Sequence, residues 1–136
     1  MTDLRTTDAL AHPLAGHVVL VVEDDYFIAE EICAALREKG AVIVGPAPDV
    51  EQGRALMHGQ PLDCAVLDVN LHGEQVFTLA GELQARGVPA IFATGYDVGF
   101  LPTRFRKSVY LQKPIEIGAL IRAVKQSSRA TPARHN

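Results

Sequence analysis

A doubly wound α/β domain on a five-stranded parallel sheet is the fold class this sequence predicts, and three observations point to it. Five short apolar runs recur along the chain: Val18 to Val22, Val42 to Val44, Cys64 to Leu67, Ala90 to Ala93 and Val109 to Leu111. Stretches with helical apolar spacing separate most of them, the pattern of a parallel sheet whose right-handed crossovers cover both faces. The 136 residues, 48% of them apolar, suffice for one domain with a real core and not for two.

The first run ends abruptly in Glu23, Asp24 and Asp25, so it reads as a buried strand that stops at a polar site. Ile28, Ile32, Ala35 and Leu36 then share one helical face, Asp25 suits the helix N-cap and Gly40 its stop. After strand two a helix is expected to start at Asp49 with Gln52 as capping partner, weakened by Gly53. Strand three runs straight into Asp68. Val76, Leu79, Ala80 and Leu83 mark a third amphipathic helix closed by Gly87. Between strands four and five, Gly99 and Pro102 interrupt Tyr96 to Ser108, so any helix there should be short or irregular. Ile117, Leu120, Ile121 and Val124 form the stripe of a last helix, and the residues from Ser127 are polar and unpatterned.

Composition excludes several function classes. A formal charge of −3 supplies no basic field for nucleic acid or anionic lipid. No run approaches the 18 apolar residues of a membrane span, and residues 1 to 16 lack a signal-peptide core. Cys33 and Cys64 match no metal or redox spacing and read as core residues. A cytoplasmic protein is expected. His12, His17, His58, His72 and His135 show no metal spacing and read as surface or loop residues. Arg104, Arg106 and Lys107 read as a solvated face, with an acidic partner surface as the other reading.

The polar residues at the strand ends carry the chemistry. In such sheets the site lies beyond the carboxyl ends of the strands, and there stand Glu23 and Asp24 after strand one, Asp68 after strand three, Thr94 after strand four and Lys113 after strand five. Three converging carboxylates repel one another unless a cation sits among them. All-oxygen ligation suits Mg²⁺, to which Asn70 could add its backbone carbonyl. A carboxylate can act as nucleophile toward phosphorus, and a lysine, a hydroxyl and a metal ion balance the charge of the transferring group.

These residues resemble the receiver domains of two-component response regulators, over roughly Gly16 to Lys125. Val21-Val22-Glu23-Asp24-Asp25 resembles the family's metal-binding acidic pair and Asp68-Val69-Asn70-Leu71 its phosphoacceptor turn. Thr94 resembles its phosphate-contacting hydroxyl, and Lys113-Pro114 its lysine, usually followed by a cis peptide bond. Tyr110 falls on the aromatic switch position. The resemblance implies a flavodoxin-like strand order 2-1-3-4-5, Asp68 as phosphoacceptor, and Mg²⁺ held by Glu23, Asp24, Asp68 and the Asn70 carbonyl. Thr94 and Lys113 would attend the phosphoryl group, while Thr94 and Tyr110 act as the switch. Phe92-Ala93-Thr94-Gly95-Tyr96-Asp97 partly resembles a subclass of stand-alone receivers with a Phe-Ala-Thr-Gly-hydrophobic-Tyr run, Asp97 departing from it. His72-Gly73-Glu74 stands where most receivers carry a proline.

The expected organisation is an N-terminal extension over 1–15, a receiver domain over 16–126 and a C-terminal tail over 127–136, with no room for an output module. The function expected is that of a stand-alone receiver and not an enzyme. It takes a phosphoryl group on Asp68 from a sensor histidine kinase or histidine phosphotransfer protein and signals by contact with a downstream protein target. The alternative is a pseudo-receiver that binds partners without phosphorylation. An aspartate-nucleophile phosphatase wants a second acid where Asn70 stands, and an FMN carrier wants a glycine- and hydroxyl-rich loop where the acids after strand one would repel phosphate.

Overall fold

A computed structural model of the chain describes residues 11–70, 74–95 and 102–128. The strands are β1 (Val18–Val22), β2 (Val42–Ala47), β3 (Cys64–Asp68), β4 (Ala90–Thr94) and β5 (Val109–Gln112). The helices are α1 (Tyr26–Glu38), α2 (Val50–Met57), α3 (Glu74–Ala85) and α4 (Ile117–Ser127), with a 3-10 turn at Thr103–Phe105. All neighbouring strands are parallel, in the order β2-β1-β3-β4-β5. This is the doubly wound, flavodoxin-like sheet that the alternating pattern predicts.

Alternation along the strands splits the core into two layers. Leu20, Val22, Ala65, Leu67 and Phe92 face α2 and α3, packing on Val50, Met57, Leu79 and Leu83. Val19, Val21, Cys64, Val66 and Ile91 face α1 and α4, packing on Ile32, Leu36, Leu120 and Val124. All five residues of β3 are buried, as a central strand covered on both faces must be. Cys33 and Cys64 are free and buried, and burial pushes the Cys64 thiol up to about 12, so both serve as packing. Leu14, on the extension side of the expected boundary at 16, is fully buried in the α1/α4 layer, and its N–H donates to the Lys39 carbonyl at 2.9 Å.

The helix ends follow local chemistry. Asp25 caps α1, its Oδ1 accepting from the Ile28 N–H at 3.0 Å. At the other end Gly40, at φ 99°, lets its own N–H and that of Ala41 close on the carbonyls of Arg37 and Leu36, a Schellman stop. Asp49 caps α2 through the Gln52 N–H at 2.8 Å, and the Gln52 amide returns to Asp49 Oδ2 at 2.9 Å. Gly53 weakens α2 by propensity, and its value is steric: a Cβ there would lie 2.8 Å from Val22 Cγ2, so the glycine lets α2 settle on β1.

Four strands run past their expected ends. Strand two continues past Val44 through Gly45 and Pro46 to Ala47, with a cis bond at Gly45-Pro46 and a register shift between Leu20 and Val22 on β1. An edge strand tolerates a proline because its missing N–H faces away from the ladder. Strands three, four and five each run one residue further, taking in Asp68, Thr94 and Gln112. In the β4–β5 crossover, residues 102–108 hold only the three-residue 3-10 turn, in line with the expected irregularity. Tyr96, Asp97 and Gly99 of that crossover lie outside the described residues, as do His72, Gly73 and His135.

Candidate functional site

Parallel strands bring their carboxyl ends to one edge of the sheet, and β1, β3, β4 and β5 each deliver a polar residue there. Glu23 and Asp68 are 3% and 2% exposed, Thr94 is buried, and Asp24 is exposed. Lys113 follows β5, its N–H donating to the Thr94 carbonyl at 2.7 Å, and the Lys113-Pro114 bond is cis. The Lys113 ammonium lies 2.7 Å from Glu23 Oε1 and 3.2 Å from Asp68 Oδ1. One cation thus bridges two buried carboxylates that would otherwise repel.

Backbone donors complete the cradle. The Asn70 N–H donates to Asp68 Oδ1 at 2.9 Å and the Asp25 N–H to Glu23 Oε2 at 3.2 Å. Neither amide figures in the sequence reading, which assigns Asn70 through its carbonyl; each sits two residues after the acid it serves, an Asx turn in the case of Asp68. The Asn70 side chain leans over the next loop, 3.5 Å from where a Cβ on Gly95 would stand.

The two buried acids are not equivalent. Burial first, and then the hydrogen bond shared with Asp68, push the Glu23 carboxyl up to about 7, against the pull of Lys113 and the Asp25 N–H. Burial also opposes ionisation of Asp68, but the hydrogen bond from Glu23, the Asn70 N–H and Lys113 outweigh it and hold Asp68 below its ordinary value. Burial disfavours the Lys113 charge, and the two carboxylates overcome it, leaving the ammonium above its usual range. Asp68 is therefore the pocket's anion, and Glu23 the acid that gives up its proton near neutrality.

One carboxylate oxygen each from Glu23, Asp24 and Asp68 lies within 4.8 Å of the other two. An all-oxygen donor set, one member of it exposed to solvent, fits a small divalent cation that keeps part of its water shell. Thr94 joins this edge as the end of β4, whose register sets Asp68 beside Ala93. Tyr110 is anchored away from the carboxylates: its hydroxyl donates to the Phe105 carbonyl at 3.0 Å and its ring stacks on Phe92, 5.0 Å away and tilted by 18°. Among the described residues no helix is long and apolar enough to cross a membrane.

Comparison with known proteins agrees with this architecture. Residues 19–125 match the response regulator receiver domain. The chain is 31% identical over 124 residues to the transcriptional regulatory protein PdtaR of Mycobacterium tuberculosis, covering 88% of this chain and 60% of PdtaR. It is 29% identical over 126 residues to the sensory transduction protein LytR of Streptococcus agalactiae, covering 85% of this chain and 50% of LytR. It thus spans only about half to three-fifths of the length of these relatives. The solution structure of SdrG from Sphingomonas melonis superposes with a TM-score of 0.69 at 34% identity, over 79% of this chain and 92% of that one. A family match over most of the chain, on a sheet of the same strand order, places this protein in the response regulator receiver domains, the signalling switches of two-component systems.

Proposed function

We propose that this receiver is switched by phosphorylation of Asp68, taking its phosphoryl group from a phosphohistidine on a sensor histidine kinase or a histidine phosphotransfer protein. The observation that carries the reading is the Lys113 ammonium held against both Glu23 and Asp68. An anionic carboxylate at a strand end beside a fixed cation is placed to attack phosphorus and to have the resulting charge balanced. In the transfer the Asp68 Oδ–P bond forms as the imidazole N–P bond breaks, and the departing imidazole takes up a proton. Asp68 enters as the ionised acid of the pair, Lys113 pairs with the phosphoryl oxygens, and the Thr94 hydroxyl donates to one of them.

Response regulators interact with histidine kinases, and receiver domains bind Mg²⁺ in an acidic pocket. Here Glu23, Asp24, Asp68 and the Asn70 carbonyl would hold it, and when bound it supplies charge neutralisation for the transferring oxygens. Thr94 and Tyr110 form the switch: a pull on Thr94 at the end of β4 reaches Tyr110 through the Phe92 stack and the Phe105 carbonyl it holds. The receiver unit is proposed as 16–126, flanked by 1–15 and 127–136, with Leu14 of the first flank packed onto its core and the last helix ending one residue past it at Ser127. The receiver acts in the cytoplasm, signalling through protein contact rather than nucleic acid or membrane, with at most self-phosphorylation and autodephosphorylation as its own chemistry.

The test is intact mass after incubation with acetyl phosphate and Mg²⁺. An adduct of about 80 Da that disappears in Asp68→Asn and in EDTA is the expected result. No adduct, from acetyl phosphate or from a phosphohistidine donor, would leave a pseudo-receiver that binds partners unmodified.

A further inference from the structure

The crossovers between the first four strands carry α-helices of 13, 8 and 12 residues, whereas the described part of the β4–β5 crossover carries a 3-10 turn of three. In that described part Phe105 packs against Phe77 and Phe92. A groove of about 540 Å³ remains between the end of α3, the start of β4 and the turn. Its walls include Ala80, Val88, Phe105 and Val109, and Arg104 and Lys107 stand on it. Val109, at the start of an edge strand, is 37% exposed there.

The positive charge at the lip is placed. The Arg104 guanidinium lies 4.9 Å from the Phe105 ring centre and donates to the Phe77 carbonyl at 3.2 Å. It rests where Gly81 has no side chain, since a Cβ there would come within 2.9 Å of it. Lys107 is exposed. Among the described residues no carboxylate pairs with Arg104, Arg106 or Lys107, although the chain as a whole carries a net charge of −3. An apolar trough whose cationic lip pairs with no carboxylate among the described residues complements a segment that offers apolar side chains and carboxylates together.

We infer that this groove is a docking site for an acidic, apolar-anchored segment of a partner protein, seating an aliphatic or aromatic side chain on Val88 and Phe105 and a carboxylate against Arg104 and Lys107. It lies at the amino ends of β4 and β5, whereas Asp68 and Lys113 lie at the carboxyl ends, so a segment bound there leaves the acidic pocket open. Residues 129–136 contain Arg129 and Arg134 and no acid, which makes them a poor match for a basic lip. The inference needs no phosphoryl group on Asp68, so it stands or falls apart from the phosphorylation reading.

The experiment is fluorescence anisotropy of the full chain with two labelled peptides of about twelve residues, one alternating Leu with Glu and one alternating Leu with Lys. The expected result is saturable binding of the Leu-Glu peptide, roughly ten-fold or more tighter than the Leu-Lys peptide. Lys107→Glu is expected to weaken it by a similar factor, as is Gln84→Trp, which fills the trough from the exposed face of α3 without changing charge. Asp68→Asn is expected to bind like wild type. Absence of saturable binding, or equal affinity for the two peptides, would overturn the assignment. Loss in Lys107→Glu with none in Gln84→Trp would reduce it to diffuse surface charge and overturn the groove. Tighter peptide binding after deletion of residues 1–10, which carry Asp3 and Asp8, would make the chain's own N-terminal segment the occupant and overturn the partner.

Discussion

Two buried aspartates bracket β3, and they do opposite things. Asp63, just before the strand, is fully buried, and its Oδ2 accepts from the Val18 N–H at 2.7 Å while its own N–H donates to the Val18 carbonyl at 2.8 Å. It clamps the amino ends of β1 and β3 together. Asp68, five residues on at the carboxyl end, is almost as buried but is held by an ammonium, a backbone amide and a second acid. Burial alone does not mark a site. What separates the two is the work of the contacts they make: Asp63 ties a backbone N–H of β1 to the start of β3, whereas a cation and a competing acid hold Asp68 in a balance that a ligand can tip.

The sharpest way to test that contrast is to remove each carboxylate. Asp63→Ala strips a charge-assisted hydrogen bond and strands the Val18 N–H, with an expected cost of about 4 kcal/mol. Urea unfolding should show this, while the remaining folded protein still takes up phosphoryl groups from acetyl phosphate. Asp68→Asn should do the reverse, abolishing uptake at a smaller cost in stability than Asp63→Ala, because the asparagine keeps an oxygen that can accept from the Asn70 N–H. If both variants lost stability equally, the division of labour between the two aspartates would be wrong.

A smaller effect comes from proton linkage at Glu23. Its carboxyl rises from 4.5 to about 7 on folding, so folding favours its protonated form. The stability this confers is whole below pH 4.5 and is lost as pH rises toward 7, a change of at most about 3 kcal/mol. Asp68, held low, has the opposite sign: its contribution is present above the ordinary carboxylate range and is lost only in acid. Between pH 5 and 7, in EDTA, Glu23 therefore governs, and the thermal midpoint should fall as pH rises. Glu23→Gln should flatten the slope. A slope unchanged by that substitution would place the titrating group elsewhere.

The site was legible where a strand runs into its chemistry. Val18 to Val22 stops at Glu23 and Asp24, Cys64 to Leu67 at Asp68, and Val109 to Leu111 shortly before Lys113, so fold and convergence follow from one pattern. Asp63 was not legible in the same way: it precedes its strand, and its partner Val18 lies 45 residues earlier. The signal that could have found it is a short acid set directly before a run apolar on both faces. Strand two reads only as the apolar run to Val44, and its continuation through Gly45 and Pro46 rests on the edge position of β2, which leaves a proline's missing N–H out of the ladder. The seat of Arg104 on Gly81 and Phe77 joins segments whose proximity only the packed fold supplies, and Glu116, which caps α4 through the Ala119 N–H at 3.2 Å, is an uncommon choice of cap.

The smallest expected effect lies farthest from either aspartate. Tyr110 holds the 3-10 turn by one bond, its hydroxyl to the Phe105 carbonyl, while its ring rests on Phe92. Tyr110→Phe keeps the ring and removes the bond, at a cost of about 1 kcal/mol. The loss should be local, because β3 and its two aspartates do not touch the hydroxyl. Amide exchange should quicken at Phe105, Arg106 and Ser108, whose N–H groups close the turn on the carbonyls of Pro102, Thr103 and Phe105, and stay unchanged in β3. Exchange that quickened through β3 as well would show the crossover to be part of the same cooperative unit as the acidic pocket. Exchange unchanged everywhere would show that stacking on Phe92 alone holds the turn.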